Sequence, residues 1–322
     1  MNAALLELRR FTVAFSGIPA VRGIDLSVAR GEALGMVGES GSGKSVTWLG
    51  MLGLLPQTAS VGGAALLDGN DLLRTTPQAL ARVRGGRIGL ISQDPSSALN
   101  PVHRVGSQVI EALRLHRGLH GAAARAEARR LFEQVGIPDA ANRLDLYPHE
   151  LSGGQNQRVM IAMALAGEPD VLIADEPTTA LDTTIQAQIL DLLDRLRRQN
   201  GMATVLISHD LHVVAEVCSR IAVMYAGRIV EMAETDTLFD HPAHPYTRGL
   251  LAAIPQTSGP PERLIAIPGT VPDPGAIPPG CAFAPRCPIA EARCGSADPD
   301  TVTVGIGHDV SCLRALMHRQ PA

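Results

Sequence analysis

Apolar and polar residues alternate through the opening segment, and this two-residue period predicts strands over 5–15 and 21–28. A turn at Gly31 leads into the unbroken apolar run Ala33–Val37, which reads as a buried strand. Short apolar runs at 64–67 and 88–91 predict a further strand pair, so the chain opens as a β-rich edge on an α/β core. From about 105 to 136 the pattern turns helical, and the Ala, Arg and Glu-rich run 122–135 carries Leu131, Phe132 and Val135 at helical spacing. This predicts a helical insertion at about 98–165. The α/β alternation then resumes with a strand at 171–174, a helix at 184–198, a strand at 204–208 and a helix at 211–219. Strands at 221–225 and 228–231 follow, in a first domain that ends near 251.

Beyond Leu251 the spacing of apolar residues loses its period. Prolines at 255, 260, 261, 268, 272, 274, 278 and 279 exclude regular helix, and 252–322 reads as a linker with a small tail domain. No internal repeat at solenoid spacing is present.

Composition narrows the picture further. A chain of 322 residues with 45% hydrophobic and 19% charged residues is expected to fold as a globular protein of two domains. Its net charge of −4 gives no electrostatic case for binding nucleic acid. The longer apolar stretches, 159–166 and 171–174, fall far below the roughly 18 apolar residues of a membrane span. The first residues lack a basic region followed by an apolar core, so a cytosolic location is expected. In a reducing compartment, the clustered Cys281, Cys287, Cys294 and Cys312 suggest a metal before a disulfide. Cys218 stands apart in a helical pattern and reads as a buried structural thiol.

Two stretches carry the strongest chemistry. Gly38-Glu39-Ser40-Gly41-Ser42-Gly43-Lys44-Ser45 matches G-x-x-x-x-G-K-[ST], between the strand at 33–37 and a helix pattern from 44 to 55. Glycines let such a backbone wrap phosphate, N–H groups and the helix N-terminus face the anion, Lys44 adds a point charge, and the Ser45 hydroxyl can ligate magnesium. The second stretch, Leu151-Ser152-Gly153-Gly154-Gln155, places Ser152 as N-cap of a helix over 155–166, with glycines that permit close backbone approach. By itself it reads equally as a capped helix after a turn.

Paired with the Gly38 loop, that stretch resembles the signature of the ATP-binding-cassette (ABC) ATPases. The resemblance implies an α/β phosphate-loop ATPase core and a dimer in which the signature residues Ser152, Gly153, Gly154 and Gln155 complete the partner's nucleotide site. Further residues fit the same family. The buried strand at 171–174 ends in Asp175-Glu176-Pro177. In a phosphate-loop ATPase the first carboxylate suits magnesium and the second suits the attacking water, although Asp-Glu-Pro alone reads as a helix-start turn. Gln93, after the strand at 88–91, resembles the Q-loop residue that reaches magnesium or the attacking water; a lone glutamine there is otherwise a solvated loop residue. His209, after the strand at 204–208, resembles the switch histidine that contacts the terminal phosphate. Ser208-His209-Asp210 is not a protease triad, since neighbours on one strand cannot converge that way. Ala180-Leu181-Asp182 matches the D-loop. An aromatic that stacks on adenine is expected near the first strands, with Phe15 the candidate and Phe11 close to it.

Other stretches resemble the ATP-binding subunits of bacterial dipeptide and oligopeptide importers: Tyr147-Pro148-His149-Glu150, the helix with Met160 and Met163, His241-Pro242-Ala243-His244-Pro245-Tyr246-Thr247-Arg248, and Cys281-Ala282-Phe283-Ala284-Pro285-Arg286-Cys287-Pro288. That resemblance implies ATP and Mg2+, a second and different ATP-binding subunit, two transmembrane permease subunits and an extracytoplasmic solute-binding protein. It also implies peripheral attachment at the cytoplasmic face of the cell membrane. Met160 and Met163 resemble the first type of ATPase subunit. For the tail cysteines it implies a [4Fe-4S] cluster; none of their spacings is Cys-x-x-Cys, which weakens a zinc ribbon, and structural zinc or free or disulfide-bonded thiols are the alternatives. The same ATPase role for nickel or glutathione transport, or a soluble ABC ATPase outside transport, stays open.

Overall fold

A computed structural model describes residues 4–179, 182–253 and 266–315. Ala180 and Leu181 of the expected D-loop and the linker prolines at 255, 260 and 261 lie outside the described residues. Among the described residues the strands are β1 (Ala4–Phe15), β2 (Ile18–Ala29), β3 (Ala33–Val37), β4 (Ala59–Leu67), β5 (Asn70–Asp71) and β6 (Ile88–Ile91). They continue with β7 (Val171–Asp175), β8 (Ala203–Ser208), β9 (Arg220–Tyr225), β10 (Arg228–Glu234), β11 (Val302–Gly305) and β12 (His308–Val310). The described residues divide into two compact units, one drawn from 4–28, 34–73, 208–253 and 266–315, the other from 29–33, 74–179 and 182–207.

The first unit holds an antiparallel sheet ordered β2-β1-β4-β5 and the strand series β11-β12-β10-β9-β3. Alternation in β1 sends Leu6, Leu8, Phe11 and Val13 into the core, where each is essentially inaccessible to water. Its pairing with β4, Leu6 opposite Leu67 and Val13 opposite Val61, shifts register between Arg9 and Thr12. Gly63 allows that bulge: it sits at φ 83, and a Cβ there would meet the Arg10 carbonyl oxygen at 2.3 Å. The helix Lys44–Met51 lies against β1 through Gly50, whose missing side chain leaves room for Val13 and Phe11, and it buries Trp48 and Met51. β3 runs parallel to β9, which turns back through Ala226 and Gly227 into β10.

The second unit is built on the parallel series β8-β7-β6, with Val171 opposite both Ala203 and Ile88. Helices Val105–Arg117, Gly121–Gln134 and Gly153–Leu165 bury Leu113, Phe132 and Ile161 completely. The amphipathic helix Thr183–Asn200 buries Ile189, Leu190, Leu192, Leu193 and Leu196 and ends at Gly201, φ 63. No helix among the described residues is long and apolar enough to cross a membrane.

Three expectations require correction. The runs at 64–67 and 88–91 do not pair: β4 joins β1 and β5, whereas β6 joins β7. The helix from Lys44 stops at Met51 rather than 55, because Gly53 takes φ 61 and Pro56 follows. The helix from Leu211 stops at Ala215 rather than 219, since β9 begins at Arg220. The tail also forms the strands β11 and β12, and β12 pairs antiparallel with β10, Glu231 opposite Val310. Glu231 is fully buried at this junction. Its carboxylate accepts the N–H groups of Ala243 at 2.6 Å and His244 at 2.9 Å and lies 2.7 Å from His308 Nε2. Burial alone would raise its pKa; the bond to His308 and those two backbone bonds outweigh it and hold the pKa below the usual carboxylate value.

Candidate functional site

Five successive buried residues of β3 deliver the chain to the Gly38–Ser45 loop. Gly38, at φ 154, passes so near β9 that a Cβ would stand 2.1 Å from the Met224 carbonyl oxygen. Gly43, at φ 102, is the N-cap of the Lys44–Met51 helix and offers no side chain to its first turn, so no side chain competes for those N–H groups. The loop bends back on itself where Ser42 N–H donates to the Glu39 carbonyl at 3.2 Å. Lys44 is buried, and its Nζ donates to the carbonyls of Gly38 at 2.7 Å and Glu39 at 3.0 Å and reaches Ser42 Oγ at 3.4 Å. Ser45 follows on the helix, half-buried; Ser40 and Gly41 are exposed at the rim. Left-handed glycines, a helix N-terminus and a captive ammonium suit a polyphosphate with its magnesium ion.

The loop is braced from three directions. Gly227 N–H donates to the Ser42 carbonyl at 2.9 Å. Glu39 N–H donates to Tyr246 Oη at 2.9 Å. Arg286 Nη1 donates to Glu39 Oε2 at 3.1 Å and to Tyr225 Oη at 3.3 Å. Tyr225, Tyr246 and Phe283 pack their rings together at centroid distances of 4.8–5.4 Å. None of these three braces was assigned a role from the sequence; Tyr246 and Arg286 appeared only within stretches that marked a resemblance.

In the other unit, β7 ends at Asp175, and the next residue, Glu176, is held at φ 46, a left-handed conformation uncommon for a residue with a Cβ. Gln93 Nε2 donates to Glu176 Oε2 at 3.1 Å, and Thr179 Oγ1 donates to the same oxygen at 2.9 Å. The structure thus joins two residues singled out from the sequence, Gln93 and Glu176, and adds Thr179. A carboxylate oriented by two donors is built to place or receive a proton at one defined point.

Ser152 caps the helix Gly153–Leu165: its Oγ accepts from Gln155 N–H at 3.3 Å, and Gln155 Oε1 accepts from Ser152 N–H at 3.1 Å. Ser152 and Gly153 are exposed. Asn156 Nδ2 donates to the Pro148 carbonyl at 2.9 Å. Asp182 caps the helix Thr183–Asn200 by accepting from Ile185 N–H at 2.9 Å. His209 is exposed just past β8. Phe15 ends β1 half-buried, whereas Phe11 is core.

The chain is 51% identical over 303 residues to a putative peptide import ATP-binding protein of Brucella abortus (strain 2308), a match covering 92% of this chain and 91% of that one. The family model described as "ABC transporter" matches residues 21–179. This chain belongs to the ABC transporter family. A second family model, "Oligopeptide/dipeptide transporter, C-terminal region", matches residues 230–294 of this ABC protein. The dipeptide transport ATP-binding protein DppD of Escherichia coli (strain K12) is 46% identical over 314 residues, covering 96% of each chain. Among solved structures, a dimeric ATP-binding cassette in a post-hydrolysis state bound to ADP and Pi is similar at 28% identity and a TM-score of 0.64, covering 71% of this chain and 98% of that one. The cbiO1 protein of Clostridium perfringens, part of the ABC transporter complex cbiONQ, gives 28% identity and a TM-score of 0.65 over 74% of this chain and 91% of that one.

In the tail of this ABC protein the four cysteines expected to hold a metal converge without forming a ligand set among the described residues. Cys281, Cys287, Cys294 and Cys312 line one cavity of ≈ 20 Å³, the size of about one water. All four are free thiols, and no group of three or more His, Cys, Asp or Glu among the described residues could hold a metal ion. Burial, reinforced by the neighbouring thiols, pushes the pKa of Cys281, Cys287 and Cys312 up, which favours the protonated form. Cys218 is buried, as the sequence suggests.

Proposed function

We propose that this chain is the ATP-hydrolysing subunit of an importer for dipeptides or oligopeptides, acting peripherally at the cytoplasmic face of the cell membrane. The observation that carries the cargo class is the match of residues 230–294 to the C-terminal region of oligopeptide and dipeptide transporters, alongside the ABC match at 21–179. Residues 1–251 form the ATPase domain, with the helical insertion at 98–165, and 252–322 the tail.

Each residue then has a part. The N–H groups of Gly38–Ser45 and the Lys44 ammonium hold the phosphates, and Phe15 stacks on the adenine. Ser45, Gln93 and Asp175 hold Mg2+, which when bound neutralises developing phosphate charge. Glu176, kept in place by Gln93 and Thr179, accepts the proton of the attacking water. His209 contacts the terminal phosphate. Ser152, Gly153, Gly154 and Gln155 complete the nucleotide site of a second, different ATP-binding subunit, and Asp182 lies at that interface. Two permease subunits receive the motion, and an extracytoplasmic binding protein supplies the solute; no nucleic acid takes part.

The four convergent thiols support a tail site for a [4Fe-4S] cluster, with zinc the alternative; their present spacing forms no ligand set, and no catalytic step is assigned to it. Iron, sulfide and zinc analysis of anaerobically purified protein tests that site.

The cargo is tested by uptake in a strain lacking the gene, supplied with the intact chain or its Glu176→Gln variant. Labelled dipeptide accumulation restored only by the intact chain is expected. Restoration of nickel or glutathione uptake instead would move the cargo class, because the ATPase itself never touches the solute.

A further inference from the structure

One ion pair joins the tail to the phosphate loop. Arg286 lies between Cys281 and Cys287, more than two hundred positions beyond Glu39, yet its guanidinium is almost completely buried, with 7% side-chain exposure. Five of its contacts converge. Nη1 reaches Glu39 Oε2 and Tyr225 Oη, Nε donates to the Pro268 carbonyl at 2.7 Å, Nη2 donates to the Gly269 carbonyl at 3.2 Å, and the guanidinium lies 5.7 Å from the Tyr225 ring centroid. Glu39 is a member of the loop itself. Its other oxygen, Oε1, is buried with no hydrogen-bond partner among the described residues. Its backbone N–H is turned to Tyr246.

A carboxylate inside a loop that must hold a polyanion is an electrostatic liability, because like charges repel. We infer that Arg286 is a positioning residue for nucleotide binding: it neutralises Glu39, and with Tyr246 it fixes the loop in the shape that accepts phosphate. The inference rests on the reading of Gly38–Ser45 as the nucleotide loop. Burial opposes the Arg286 charge, but the bonds to Tyr225 and Glu39 raise its pKa overall, so the guanidinium stays charged throughout the working range. The tail thereby contributes a residue to the ATPase site without touching the nucleotide, and it does so from the stretch flanked by cysteines.

The charge argument fixes opposite signs for the two partners. Arg286→Gln leaves Glu39 uncompensated and is expected to weaken ATP binding roughly threefold to tenfold. Glu39→Gln leaves Arg286 unopposed beside the phosphates and is expected to tighten it by a similar factor. Arg286→Lys keeps the charge and retains most of the affinity, and the double variant Glu39→Gln/Arg286→Gln returns to within about twofold of the parent. Affinity is read by titration with a fluorescent ATP analogue in the full chain, and KM for ATP is read in the assembled transporter, where KM is expected to move with kcat held within about twofold. Weakening by Glu39→Gln, or unchanged affinity in that variant, overturns the inference even where Arg286→Gln does not fold. A parent chain whose binding survives Lys44→Ala would instead overturn the nucleotide-loop reading beneath it.

Discussion

His244 offers a sharp test of the packing around the loop. It is completely buried, and its Nδ1 accepts from Tyr246 N–H at 3.0 Å as the N-cap of the helix Pro245–Ala252. Burial drives its pKa down from 6.5 to about 4; the nearby Glu231 pulls the other way, and Arg248 adds to the depression. The folded chain therefore keeps His244 neutral at a pH where the unfolded chain protonates it. Between pH 6.5 and 4 the unfolded state binds more protons, so stability falls as the pH drops through that window and is fully present above it. Linkage with those two pKa values gives a loss of about 2 kcal/mol between pH 7.5 and 5.0. His244→Asn keeps a capping acceptor at the same position while removing the titration. Urea unfolding followed by fluorescence of the single tryptophan, Trp48, buried in the same unit, measures both chains at both pH values. The parent is expected to lose about 2 kcal/mol more than the variant on acidification. Equal losses in the two chains would refute the reasoning, since every other titrating group is common to both.

Three further outcomes are expected. Glu176→Gln retains ATP binding and slows turnover by a factor on the order of 10² to 10⁴, measured as phosphate release by the assembled transporter; near-parental turnover would remove Glu176 from proton handling. Lys44→Ala abolishes nucleotide binding in a direct titration, and unaltered ATPase activity would sink the phosphate-loop assignment. Ser152→Ala removes the cap of Gly153–Leu165 and costs about 1 kcal/mol in chemical denaturation. It also lowers ATPase activity only when the second subunit is present, and equal loss in the isolated chain would contradict a role on the partner's nucleotide.

The parts of this site that are contiguous in sequence were legible there. Strand, glycine loop and helix follow one another from Ala33 to Met51, and the conformations that Gly38 and Gly43 must adopt are written in their lack of a side chain. Gln93 and Glu176 were both picked out, but the bond between them depends on β6 pairing with β7, and strand pairing across such a sequence interval leaves no local trace. The same physics defeated the expected pairing of 64–67 with 88–91. The apolar run at 64–67 covers only the second half of β4, whose first half carries Gly62 and Gly63 at a bulge against β1 and so lacks an apolar pattern. Strands β11 and β12 are brief, and hydrogen bonding to one another and to β10 defines them more than any apolar period. Arg286 and Tyr246 escaped notice for a different reason: an arginine between cysteines and a tyrosine after a proline have no pattern of their own until the fold brings them to Glu39.

The pairing of β12 with β10 bears on how shortened forms of this protein will behave. In the full chain β10 is flanked on both sides, by β9 and by β12. Cutting the chain before residue 302 would bare β10 where Glu231 and Met232 pair with β12, an open sheet edge and a ready template for another chain to add a strand, and would strip His308 from the buried Glu231. A truncated protein is thus expected to self-associate. Its lost activity would report adhesion between copies, and regulation by the tail is better probed with point substitutions that leave the β10 edge covered.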